Sequence, residues 1–183
     1  MTICTSDGRH CFGEIIDKQM RLNEAGVFAQ NCWQQIPLHS SSVILDEYVI
    51  MPNHVHGLIM IKGEWLQGEG TGSVDPNQNI GLMRNDYSGK LAEYQHLVPG
   101  SVGVIVRGFK SAVTRWFRLN TGIKVVWQRN FYDHIVRDEN ELSRIRSYII
   151  QNPAKWHFDR QNRDSKNIAG EPDAVFNAEP WMI

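Results

Sequence analysis

The sequence predicts an α+β protein with a ferredoxin-like split βαβ core, an antiparallel sheet with helices on one face. Two runs rich in β-branched and aromatic residues, 43–51 and 55–61, flank the turn-forming pair Pro52 and Asn53 and read as a central hairpin. Apolar residues recur at helical spacing before it, as Val27, Phe28, Cys32, Trp33 and Ile36, and after it, as Val104, Ile105, Phe109, Val113, Trp116 and Phe117. Short extended pieces at 1–5, 124–127 and 131–136 complete the order strand, helix, strand, strand, helix, strand.

The chain has 183 residues, 42% hydrophobic and 21% charged, enough for one core and too few to promise two. Net charge is −1, so bulk charge announces no nucleic-acid partner and such a role has to rest on local patches. Cys4, Cys11 and Cys32 form no CxxC pair, which argues against a disulfide framework or a cysteine zinc cluster. No apolar run approaches the length of a membrane span and no signal-like segment opens the chain, so a cytoplasmic location is expected.

Residues 1–5 read as the end of a strand. Residues 14–16 and 20–22 form a small hairpin across a three-residue polar connection, Asp17 to Gln19. Asn23 is placed as the N-cap of the first helix, which Pro37 ends. From 63 to 100 glycine, asparagine, aspartate and serine dominate without apolar period, which predicts a flexible insertion loop in a single domain spanning 1–160. The helix after Ser101 is amphipathic and basic. Asp138 caps the last helix with Glu141 at capping-box spacing, Leu142, Ile145 and Ile149 form its stripe, and Pro153 stops it. An irregular tail is expected at 161–183.

Three groups carry candidate chemistry. On a strand His54 and His56 share a face, and paired neutral imidazoles are common metal ligands, although an HxH is a short pattern. Tyr148 and Asn152, four apart, are neighbours on the last helix; from the residues alone they read first as a rim tyrosine and a C-cap before proline, and they also fit a nucleophile and an amide ligand. A mixed nitrogen and oxygen set suits Mg²⁺ or Mn²⁺. Arg107, Lys110, Arg115, Arg118, Lys124 and Arg129 concentrate positive charge, to be read as phosphate contacts or as a solvated helix face. His134 shares a strand face with Tyr132, the rival nucleophile, and is a possible neighbour of the site.

The blocks MPNHVHGLIMI, IVRGFKSAVTRWF, VWQRNFYDHIVRDENEL and YIIQNPAKW together resemble the IS200-like transposases, most closely the REP-associated tyrosine transposases. The resemblance spans nearly the whole chain outside the loop and tail. It implies a metal-dependent single-strand DNA transposase of the HUH class, which cleaves and rejoins DNA near hairpins through a 5′-phosphotyrosine intermediate. It assigns His54, His56 and Asn152 as ligands and Tyr148 as nucleophile, and it implies single-stranded DNA hairpins as partner and a monomer or homodimer as the working form. The family's third ligand is often glutamine, where this chain has asparagine. A domesticated protein that binds hairpins without cutting them is the competing expectation.

Overall fold

The computed structural model describes residues 1–62 and 101–162. The predicted insertion at 63–100, and all of the predicted tail except its first two residues, lie outside them.

The chain runs from β1 (Thr2–Cys4) through a small hairpin, β2 (Gly13–Ile16) and β3 (Gln19–Leu22), into α1 (Glu24–Gln34). A short α2 (Ile36–His39) leads to β4 (Val43–Ile50) and β5 (His54–Ile61), then α3 (Val102–Asn120), α4 (Glu139–Gln151) and a 3₁₀ turn, Pro153–Phe158. The hairpin connection has two residues rather than three. Asp17 and Lys18 both take positive φ, 49° and 61°, the twist that joins adjacent strands without splaying them, and Gln19 already belongs to β3. The Asn23 side chain accepts from the Gly26 N–H at 2.9 Å, as an N-cap should. α1 stops at Gln34, before Pro37, which falls in the first turn of α2, where its missing N–H leaves nothing unsatisfied. Ser101 and Asp138 cap α3 and α4 through the N–H groups of Val104 and Glu141.

The sheet is antiparallel in the order β1-β5-β4. Its fourth member is an extended segment beside β1. The N–H of Thr2 donates to Tyr132 at 2.7 Å, Tyr132 donates back at 2.9 Å, and Gln128 donates to Cys4 at 2.9 Å. The spatial order is therefore 126–132, β1, β5, β4, with β1 and β4 linked through α1 and parallel to each other on either side of β5, as in a split βαβ arrangement. The extended pieces predicted at 124–127 and 131–136 reduce to isolated pairings at Trp127 and Tyr132.

Alternation along β5 divides the molecule. Val55 and Gly57 face α1 and α3, where Ile3, Trp33, Ile50, Phe109, Val113 and Phe117 form the main core. A Cβ at Gly57 would lie 2.0 Å from Trp33 Cζ2, so this position admits only glycine while the indole lies flat on the strand. His54, His56 and Leu58 face the other way. The helices expected on one face are α1 and α3; the second face is not left open, because α4 packs there through Leu58, Ile145, Tyr148 and Ile149. The helix that carries the candidate nucleophile is thus laid against the strand that carries the histidines.

Candidate metal centre

β5 starts at His54, so the first residues of a paired strand carry both imidazoles, and pairing on both edges fixes them. Thr2 of β1 and Val49 of β4 flank His56, while Cys4 flanks His54. Their ring centroids are 4.4 Å apart. α4 brings Tyr148 over His56, with the phenol oxygen 3.3 Å from Nε2. Pro153 ends α4 and turns the chain into the 3₁₀ segment, whose C-cap is Asp159. Asp159 Oδ2 lies 3.7 Å from His54 Nε2, beyond hydrogen-bond range. One ligand atom each from His54, His56 and Asp159 lies within 4.8 Å of the others. Two metal bonds of about 2.1 Å span roughly 3.0–3.4 Å for adjacent ligands and about 4.2 Å for opposite ones, so the widest pair has to contract by about 0.6–1.8 Å around an ion.

The orientation of His54 follows from its neighbours. Asn53 Nδ2 donates to the carbonyls of Gly8 at 3.3 Å and Gln161 at 2.7 Å, which fixes the amide and turns Oδ1 toward His54. His54 Nδ1 must then donate to that oxygen, at 2.8 Å, leaving Nε2 as a lone pair aimed at Asp159. His56 Nδ1 pairs with the Thr2 hydroxyl at 2.9 Å, so Nε2 is again the inward nitrogen. Burial lowers the pKa of both imidazoles. Asp159 opposes this at His54, whereas His54 and the chain's N-terminal ammonium add to it at His56, which falls well below its ordinary value. Both rings are neutral near pH 7, the form that binds metal.

The site is enclosed. His54 and Asn152 are 0% exposed, Asp159 2%, His56 3% and Tyr148 8%. Among the described residues His54 Nε2, Asp159 Oδ2 and both amide atoms of Asn152 meet no hydrogen-bond partner. Left so, each buried polar atom costs roughly 1–3 kcal/mol; His54 Nε2 and Asp159 Oδ2 are two such acceptors facing each other across 3.7 Å, an arrangement that a shared cation would satisfy. The donor set, two imidazole nitrogens and a carboxylate oxygen, could hold a divalent metal ion. Burial raises the Tyr148 pKa well above the ordinary phenol range and Asp159 raises it further. Asn152, near the phenol but short of hydrogen-bond geometry, pulls it part of the way back, as does Arg160.

The structure thus gathers four sequence-predicted site residues: His54, His56, Tyr148 and Asn152. It does not gather the others. α3 lies across the sheet from the metal group, so Arg107, Arg115 and Arg118, all exposed, project from the far layer. Lys110 donates its ammonium to the carbonyls of Gln128, Arg129 and Asn130 at 2.9, 3.4 and 2.8 Å, holding that loop instead of standing open to solvent. Arg129 is exposed on the same loop. His134 pairs with Glu141 at 2.7 Å, outside the buried group. Tyr132 is 46% exposed and is separated from β5 by β1. Sequence reasoning missed Asp159, Asn53 and Thr2. A single aspartate in a polar stretch beyond a proline has no spacing signal, and Asn53 in PNHVH read only as a turn residue. Thr2 becomes visible only once the strand register is known.

Over 160 residues, 87% of this chain and 82% of the relative, the sequence is 40% identical to an uncharacterized protein of Haemophilus influenzae. The chain belongs to that protein's family. No family model and no solved structure matches it. The enclosed histidine and aspartate group is therefore read from this chain's own geometry.

Proposed function

We propose that this protein is a metal-dependent single-strand DNA transposase or endonuclease that cleaves and rejoins strands near hairpins, with Tyr148 as nucleophile. The observation that carries this reading is the 3.3 Å contact between the Tyr148 hydroxyl and His56 Nε2 at the edge of a buried His54, His56 and Asp159 group. Burial of the ring in the apolar stripe of α4 explains the packing of Tyr148, and the direction of its hydroxyl, toward His56 Nε2, is what supports a role at the site. The resemblance of the four sequence blocks supports the same assignment.

The phenol is held protonated by burial and by Asp159, so it is a poor nucleophile on its own. A bound divalent cation would supply positive charge at the scissile phosphate and at the developing phenolate. Tyr148 then loses its proton to solvent and attacks phosphorus in line. A phosphotyrosine bond to the 5′ end of the downstream strand forms as the bond to the 3′ oxygen breaks, and the upstream strand leaves with a 3′-hydroxyl whose proton comes from solvent. Attack of a 3′-hydroxyl on the phosphotyrosine reverses the step and frees Tyr148. α4 aims the phenol, Asn53 fixes the His54 tautomer, Thr2 holds the His56 ring through Nδ1, and Asn152 offers an amide oxygen. Because Pro153–Phe158 and Asp159 cover the group, DNA reaches Tyr148 only when this segment shifts from the sheet.

That covering favours one rival, a hairpin-binding protein that no longer cuts. Fluorescent single-stranded hairpin oligonucleotides from DNA flanking the gene, incubated with and without Mn²⁺, separate the two. A protein-DNA adduct that needs Mn²⁺ supports the proposal. Salt-sensitive binding without an adduct under any metal supports the binder. A binder that holds DNA on the α3 layer, away from the metal group, should have its salt slope flattened by up to about 1.4 when Arg115 and Arg118 are removed together, at roughly 0.7 per single-strand phosphate contact, and DNA held at Tyr148 should not.

A further inference from the structure

We propose that Asp46 and Arg146 are positioning residues that set the place of α4 on the sheet and so hold the Tyr148 hydroxyl against His56. This rests on the reading of Tyr148 as nucleophile.

α4 is not interlocked with the other helices. It lies on β4 and β5 through a small apolar cluster, Leu58, Ile145, Tyr148 and Ile149 with Val49, Val136 and Leu142 at its margin, separate from the core shared by α1 and α3. Apolar burial is non-directional, so a stripe of this kind fixes which side of the helix faces inward better than it fixes where the helix stops along the strand. A directional contact does the second job. Arg146 grips the Asp46 carboxylate in a fork: Nε donates at 3.0 and 3.2 Å and Nη2 at 2.6 Å, between residues 100 apart in sequence. Such paired contacts are geometrically specific where a lysine's point charge is not.

The strand is shaped to offer that carboxylate. β4 carries a bulge, its register against β5 shifting between Leu45 and Tyr48. Leu45 and Tyr48, three apart, both pack with the α1 layer, which strict alternation forbids. The extra residue restores it and leaves Asp46 and Val49 together on the α4 face, one for the fork and one for the apolar stripe. The N–H of Glu47, inside the bulge, donates to Asp46 Oδ1 at 2.8 Å and orients the carboxylate. Neither residue touches the metal group. Their role acts through the helix, and a misplacement of about 1 Å at a reacting atom can lower a rate by roughly 100-fold.

The test measures adduct formation at saturating hairpin DNA with Mn²⁺ for the wild type, Arg146→Ala, Arg146→Lys and the exchanged pair Asp46→Arg with Arg146→Asp. We expect a rate loss of about 10- to 100-fold in the first two with little change in DNA affinity, and partial recovery in the exchanged pair. The ring signals of ¹⁵N-histidine-labelled protein provide the second readout. Arg146→Ala should move the His56 ring signal as Tyr148→Phe does, because in both the hydroxyl leaves Nε2. An unchanged His56 signal together with an unchanged adduct rate overturns the positioning role. A wild type that forms no adduct refutes the nucleophile reading instead, and the His56 signal then decides the placement of α4 alone.

Discussion

Asp159→Asn should stabilise the metal-free protein while removing its response to metal. The carboxylate is 2% exposed; Oδ1 accepts from the Gln161 N–H at 2.7 Å, but Oδ2 has no hydrogen-bond partner among the described residues and stands 3.7 Å from His54 Nε2, which also has none. Asparagine keeps the first contact and replaces Oδ2 with an N–H group that can donate to the imidazole lone pair, so one substitution satisfies two buried atoms. At roughly 1–3 kcal/mol per unsatisfied buried group, a gain of about 2 kcal/mol is expected. For a chain of this length that raises Tm by about 4–8 °C. The wild type in turn should gain about 2.7 kcal/mol at a Mn²⁺ concentration 100 times its Kd, and the variant much less, because an amide nitrogen is no ligand. Thermal unfolding of both proteins with EDTA and across a Mn²⁺ series measures all four states. A variant that unfolds earlier than wild type in EDTA, or that keeps the full Mn²⁺ increment, refutes the assignment of Asp159 as a ligand.

Other perturbations follow from the same contacts. Asn53→Ala frees the His54 tautomer and should weaken Mn²⁺ binding about 10- to 100-fold by titration calorimetry, the usual effect of removing a group that orients a ligand; equal affinity would show that Asn53 only makes the turn. Gly57→Ala drives a methyl into Trp33 and should cost about 1–3 kcal/mol or more in urea unfolding, and an unchanged midpoint would contradict the close packing of α1 on β5. The Arg146 fork lowers the Asp46 pKa, so its stabilisation is full above the ordinary carboxylate range and is lost as pH falls through the lowered value. Asp46→Asn should therefore cost about 1 kcal/mol at pH 7 and nothing once wild-type Asp46 is itself protonated in acid, with unfolding midpoints across pH as the check.

Much of this architecture was legible in the sequence. Hydrophobic period placed the central hairpin and the helices, and side-chain caps at Asn23 and Asp138 marked helix starts where the structure has them. The HxH spacing and the four-residue step from Tyr148 to Asn152 put those side chains on shared faces, because strand and helix periods are local properties. What stayed hidden depends on contacts distant in the chain. The face chosen by α4 is set by Leu58 and Asp46, roughly a hundred residues before it, and that choice closes the site instead of leaving it open. The histidines share a strand face as their spacing predicts, but that face is buried, so His54→Ala and His56→Ala will destabilise the fold as well as the site. The positive charges clustered in sequence around α3 fall on the other layer of the sheet, since an amphipathic period identifies a buried stripe without saying which face of the sheet it covers.

The most direct test of the account is to locate the covalent bond. Protein trapped with a flanking hairpin oligonucleotide and Mn²⁺ is digested, and the nucleotide-bearing peptide is identified by mass spectrometry. The expected product is a phosphotyrosine at Tyr148, lost in Tyr148→Phe and retained in Tyr132→Phe. A phosphotyrosine at Tyr132, or an adduct that forms equally well when His56 is replaced by asparagine, would contradict it.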